Sequence, residues 1–163
     1  MTFGYLGGEL DTGVSLVDQA IELNPNSVGA WSISGWLRLY LGHHELGIEH
    51  QNRAMRLSPR DLYRPDMLAM AGFANLFLGR FDRAERLANE AVQLSINHLP
   101  SLRVLACSLA FQGKLDQSGS AARRILSLDP TFRLPAVREL IPLRRPEDLS
   151  RYVEGLRLAG IPE

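Results

Sequence analysis

One four-residue signature is written four times in this chain, as Gly8-Glu-Leu-Asp11, Gly42-His-His-Glu45, Gly79-Arg-Phe-Asp82 and Gly113-Lys-Leu-Asp116, at successive spacings of 34, 37 and 34 residues. A second landmark, Leu23-Asn-Pro25, Leu57-Ser-Pro59, Leu94-Ser-Ile96 and Leu128-Asp-Pro130, steps along with the same spacing. A period near 34 residues is the length of one helix-turn-helix unit. Such a unit cannot bury its apolar face alone and stacks on copies of itself. The repeat therefore predicts an all-α fold, a superhelix of antiparallel helix pairs.

The residues between the landmarks resemble the tetratricopeptide repeat (TPR) over residues 8 to 130. In the second unit the family's pattern falls on Trp31, Gly35, Leu39, Gly42, Ala54 and Pro59, with Gly47 where alanine is usual and Gln51 where an aromatic is usual. In the third it falls on Leu68, Gly72, Leu76, Gly79, Ala84 and Ala91, and in the fourth on Leu102, Ala106, Gly113, Ser118 and Pro130, where Ile125 replaces a small residue. Small residues are needed where the two helices of a hairpin approach closely. Gly42, Gly79 and Gly113 suit the left-handed turn that ends a first helix. Pro25, Pro59 and Pro130 each stop a second helix.

The resulting organisation is one domain, residues 1–163: a partial first repeat (1–25), full repeats at 28–59, 65–96 and 99–130, and a C-terminal cap (131–163). Only Met1 to Gly7 precede the first signature, half of the helix a full unit needs. The chain thus reads as the tail of a longer polypeptide or as a protein with a lopsided first hairpin. Val14, Val17 and Ile21 are expected to present an uncovered apolar side there. At the other end, Leu134 to Ile141 reads as a short helix. Pro146-Glu-Asp148 opens a final helix, with proline at its first position and acids in its first turn. Leu149, Tyr152, Val153 and Leu156 fall on one stripe of that helix, and Gly160 ends it. It reads either as a plain cap over the last repeat or as a built-in ligand reaching back into the groove.

The charge balance, 18 basic against 18 acidic residues, supplies no overall field to hold a nucleic-acid backbone or an anionic membrane. No apolar run approaches the roughly 20 residues of a membrane span. A lone cysteine, Cys107, rules out an internal disulfide, and the absence of a secretory signal leaves a cytoplasmic setting as the expectation. Between Arg123 and Arg145 six arginines face only Asp129 and Glu139, an excess that suits a solvated face or an acidic partner.

Catalysis finds little support. His44-Glu45-Leu46-Gly47-Ile48 lacks the second histidine of a zinc-binding HExxH helix, and His43 and His44 read as solvated turn residues. There is neither a phosphate loop nor a nucleophile elbow, and Cys107 reads as a small buried hydrophobe. No enzyme activity, cofactor or metal is expected.

Function is expected in the concave groove. In the TPR family its wall is formed by the first helix of each unit. Transferred by register, the resemblance places Trp36, Phe73 and Cys107 in one rank, Tyr40, Phe77 and Phe111 in the next, and Arg103 beside them. These residues would make an apolar channel for an amphipathic helix or extended segment of a protein partner, or they would be ordinary packing between units. Trp36 and Phe73 are expected to be exposed. The lysines and asparagines with which some family members clamp a peptide's terminal carboxylate are absent.

A second resemblance lies in Ile141-Pro-Leu-Arg-Arg-Pro-Glu-Asp-Leu149 and its continuation to Glu163, together with Leu23-Asn-Pro-Asn-Ser27, Ala30-Trp31, Gly35-Trp36 and Ala54-Met-Arg-Leu-Ser-Pro59. These residues look like the C-terminal TPR region of bacterial adenylate/guanylate cyclase-type regulatory proteins. That implies a regulatory tail whose catalytic or DNA-binding residues lie outside this chain. The expected function is a non-catalytic protein-interaction module. The alternative is a module that self-associates, as a homodimer, through its first hairpin.

Overall fold

A computed structural model describes residues 9–163. The start of the chain, with Gly8 of the first signature and the half helix before it, lies outside the described residues. Among the described residues there are nine α-helices and one 3₁₀ turn, and no strand. Helix α1 (Glu9–Leu23) stands first, followed by three hairpins: α2 (Val28–Leu41) with α3 (His44–Leu57), α4 (Arg64–Phe77) with α5 (Phe81–Leu94), and α6 (Leu99–Phe111) with α7 (Leu115–Leu128). A 3₁₀ turn at Leu134–Ala136 runs into the short α8 (Val137–Leu140), and α9 (Pro146–Ala159) closes the chain.

The repeated glycines work as the spacing implies. Gly42, Gly79 and Gly113 have φ of 85°, 76° and 73°, a conformation that costs a residue with a Cβ roughly 1–2 kcal/mol. Each lets the next amide reach back over the helix end: His43 N donates to Arg38 O (2.8 Å), Arg80 N to Asn75 O (2.8 Å) and Lys114 N to Leu109 O (3.0 Å). The orphan carbonyls at the end of each first helix are thereby satisfied. At the other end of the second unit, Ser27 Oγ accepts from Ala30 N and caps α2.

Departures from the repeat pattern have physical counterparts. A Cβ on Gly35 would stand 2.7 Å from Gln51 Nε2. Gln51 replaces the usual aromatic with a buried amide that donates to Ser32 O at 2.9 Å, tying α3 to α2 by a hydrogen bond instead of a ring. Ser118, small as the hairpin requires, is fully buried and donates to Ala106 O at 2.7 Å. Ile125 fills the core of the last hairpin. Helix α4 lies between its neighbours and is buried from Met67 through Phe77 without interruption. Ala69, Ala71, Gly72 and Ala74 leave room there for the flanking helices.

Two expectations about the ends of the chain need correction. Val17 is buried and Val14 and Ile21 are half-buried; on α1 it is Leu16 and Leu23 that project outward. A Cβ on Gly13 would already touch the Leu37 side chain, so this face of α1 is seated on α2. On α9 the buried stripe is Asp148, Tyr152, Gly155, Leu156 and Ala159, while Leu149 and Val153 are only half-buried. The stripe is turned because a polar residue and a glycine, neither of which an apolar pattern counts, face the protein. The arginine excess is partly drawn into the fold: Arg144 pairs with Asp11 across 133 positions, Arg145 with Glu147, and Arg133 donates to the carbonyls of Pro130 and Phe132.

Candidate partner-binding trough

Residues three, four or seven apart on a helix share a face. Trp36 and Tyr40 on α2, Phe73 and Phe77 on α4, and Arg103, Cys107 and Phe111 on α6 therefore each share a face of their own helix, and Phe111 stacks on Phe81 of α5 at 4.8 Å between centroids. The rings meet across helices: Trp36 lies 5.9 Å from Tyr40 and 6.3 Å from Phe73 between centroids, and Phe73 stacks on Phe77 at 6.0 Å. These contacts join α2 and α4 through one run of rings. Burial, with nothing to offset it, pushes the Tyr40 phenol up to about 12.

Much of that wall is already covered by α9. Tyr152 is 1% exposed and drives its ring edge-on into Phe73 at 5.1 Å and Phe77 at 6.5 Å. Cys107 Sγ lies 3.7 Å from Tyr152 O. A Cβ on Gly155 would come within 2.9 Å of both Cys107 and Phe111, so glycine lets α9 press directly on α6. Phe73, expected to be exposed, is 3% exposed for this reason. Trp36, Tyr40, Arg103 and Phe111 keep partial exposure. Arg103 stacks its guanidinium over the Phe132 ring at 4.7 Å to the centroid.

The segment entering α9 is tied to the ends of α2, α3 and α4. Arg144 N donates to Tyr40 O at 2.8 Å, and Arg151 donates to Phe77 O. Between these two ties His44 Nε2 donates to Asp148 Oδ2 at 2.8 Å. Both side chains are almost fully buried. His44, expected as a solvated turn residue, is thus an inward-facing part of a latch 104 positions long. Burial holds its imidazole below the ordinary histidine value; the Asp148 carboxylate opposes that shift, and Arg145 and His43 add to it. The geometry agrees with a neutral ring: His44 Nδ1 is buried without a hydrogen-bond partner among the described residues, and a proton there would have no acceptor. No repeat pattern flags this pair. The signal available was a histidine at the start of α3 and an acid in the first turn of α9, far apart in sequence.

Burial pushes the Cys107 thiol far up, disfavouring the thiolate. His43, His44 and His50 do not converge: His50 Nδ1 sits 2.8 Å from Ser34 Oγ with its ring against Trp31, away from the His44–Asp148 pair. Among the described residues no three His, Cys, Asp or Glu side chains gather as metal ligands. No helix there is long and apolar enough to cross a membrane.

No protein-family model matches this sequence, and no curated protein matches it. Solved structures do. The crystal structure of MamA superposes with a TM-score of 0.68 at 18% identity, covering 98% of this chain and 93% of that one. YrrB, described as a TPR protein with an unusual peptide-binding site, gives 0.62 at 20% identity over 93% and 81% of the two chains. The first TPR domain of Spaghetti (RPAP3), bound to the HSP90 peptide SRMEEVD, gives 0.59 at 19% identity over 80% and 93%. Helix order, left-handed glycine turns and these superpositions lead to one conclusion: the chain has the fold of a TPR solenoid.

Proposed function

We propose that this chain is a non-catalytic protein-interaction module. Its ligand is an apolar or amphipathic segment of a partner protein, received along the wall of Trp36, Tyr40, Phe73, Phe77, Arg103, Cys107 and Phe111. The observation that carries this reading is α9 itself: an amphipathic helix with an aromatic anchor already lies against that wall, so the wall fits ligands of this class. Peptide recognition by YrrB and by the RPAP3 domain on the same fold supports it. A partner segment either extends α9 along the open margin at Trp36 and Tyr40 or replaces it. The C-terminal resemblance to cyclase-type regulators favours a regulatory tail of a larger signalling protein in the cytoplasm.

The test is titration of the full chain with a labelled peptide copying residues 146–159. Saturable binding is expected, together with its loss in Trp36→Glu while far-ultraviolet circular dichroism stays near normal. Unchanged affinity in that variant rejects the reading. A second reading, self-association through the first hairpin, is favoured by the outward Leu16 and Leu23 of α1. Light scattering across concentrations separates the two, since a dimer of this kind dissociates when Leu16 and Leu23 become Glu.

A further inference from the structure

Helix α9 covers only the half of the trough toward the C-terminal ends of the first helices. Toward their N-terminal ends the same faces continue. Gly29 and Ser32 precede Trp36 by seven and four positions, and Asp66 precedes Phe73 by seven, which keeps them on the same side of α2 and α4. Here a cavity of about 500 Å³ remains open between the two helices. That lies within the range of about 300–1,000 Å³ usual for ligand pockets. Its apolar lining comes from Val28, Ile33, Tyr63 and Met67, and Ile33 and Tyr63 are well exposed. A Cβ on Gly29 would meet nothing within 4 Å, so backbone is open to a visitor at that point.

The charges on this cavity have one sign. Asp61 and Asp66 line it, and no lysine or arginine does. The neighbouring Arg64 is engaged with Glu90 on α5 at 3.0 Å. Asp61 Oδ1 is held in place by accepting from Tyr63 N at 2.9 Å. Asp66 Oδ1 lies 3.3 Å from His98 Nε2, while its second oxygen makes no hydrogen bond among the described residues. Asp66 stands in the first turn of α4. An apolar cavity bordered by two such carboxylates repels a peptide's terminal carboxylate and complements a cation flanked by apolar groups.

We propose that the cavity between α2 and α4 is a specificity subsite for an arginine or lysine of the partner segment. The cationic head would lie between Asp61 and Asp66, and flanking apolar side chains would rest on Ile33, Tyr63 and Met67. The inference deepens the reading of the chain as a segment-binding module but uses residues apart from the aromatic wall, so the two can fail separately.

The test is fluorescence anisotropy of the full chain with two labelled, end-blocked pentapeptides, Leu-Leu-Arg-Leu-Leu and the same peptide with neutral citrulline in place of arginine. The arginine peptide is expected to bind about tenfold more tightly at low salt, the effect of two partly exposed ion pairs. The preference should shrink as ionic strength rises. Asp61→Asn/Asp66→Asn should abolish it, and Asp66→Asn alone should reduce it. Trp36→Glu should leave the ratio between the two peptides unchanged even where it removes binding of the residue 146–159 peptide. Equal affinities, a preference that survives in the double Asn variant, or no saturable binding of either pentapeptide overturns the subsite. If the 146–159 peptide still binds in any of those cases, the broader reading stands without it.

Discussion

Breaking the His44–Asp148 pair should loosen the tail, and the structure sets the scale of the loss. Asp148→Ala removes a hydrogen bond to a charged group, worth about 1.5–3 kcal/mol. It also leaves both ring nitrogens of a buried imidazole without partners, and it deletes an acid from the first turn of α9, worth about 0.3–1 kcal/mol. A total near 2–4 kcal/mol is expected. His44→Ala is the harsher change, because it leaves a nearly buried carboxylate whose remaining cation, Arg145, is 4.0 Å away. Uncompensated buried charges of this kind cost about 3–5 kcal/mol. The double variant removes the donor and the acceptor together, so it should lose roughly 2 kcal/mol less than the sum of the singles. Urea unfolding followed by tryptophan fluorescence and circular dichroism measures each value. Additivity to within about 0.5 kcal/mol would refute the latch.

Four further outcomes follow from the same contacts. Since the folded His44 lies below its unfolded value of 6.5, the unfolded chain takes up the proton first. The stability this contributes is full above about pH 6.5 and falls as pH drops below it; the drop between pH 7.5 and 5.5 should be smaller in His44→Ala, with the similarly lowered His50 supplying the remainder. Gly155→Val should overpack α9 against Cys107 and Phe111 and cost about 1–3 kcal/mol in thermal unfolding. Native Cys107 should react slowly with a thiol reagent and at least several-fold faster in Asp148→Ala or Gly155→Val; equal rates would mean that α9 does not govern access to the thiol. Gly42→Ala should destabilise more than Gly113→Ala, because both force a left-handed backbone but only at residue 42 would the new Cβ also strike Arg145, at 2.1 Å from its Cδ.

What was legible in the sequence is what repeats. Gly42, Gly79 and Gly113 recur because each first helix needs the same reversal, and small residues recur at 35, 47, 72, 84 and 106 because each close approach leaves room for little more than a Cβ, and at Gly35 not even that. Those constraints are local, so spacing reveals them. The contact of the Trp36, Tyr40, Phe73 and Phe77 rings was legible for the same reason, α2 and α4 contributing at the same register. Its state of occupancy was not. Whether Phe73 faces solvent depends on Tyr152, which lies outside the repeat in a tail that packs on α6 and that Arg144, Asp148 and Arg151 tie to residues 40, 44 and 77. His44 was misread because a histidine in a turn has no periodic partner, and its acceptor sits 104 residues away.

Division of the trough into a covered and an open half follows from how α9 is tied. The ties of the tail to α2, α3 and α4 attach near the C-terminal ends of α2 and α4 or at the start of α3, so beside these helices the tail lies near the glycine turns and leaves the other ends of α2 and α4 free. The covered half is aromatic, and its occupant presents Tyr152. The open half carries Asp61 and Asp66, whose hydrogen bonds among the described residues go to Tyr63 and His98 and not to α9. A partner that places a cation there need not first displace the tail, whereas one that needs Phe73 must break the His44–Asp148 bond. Affinity for the first kind of partner should therefore be indifferent to Asp148→Ala, and affinity for the second should rise with it. The opposite pattern would mean that the two halves of the trough are coupled through α4, the helix they share.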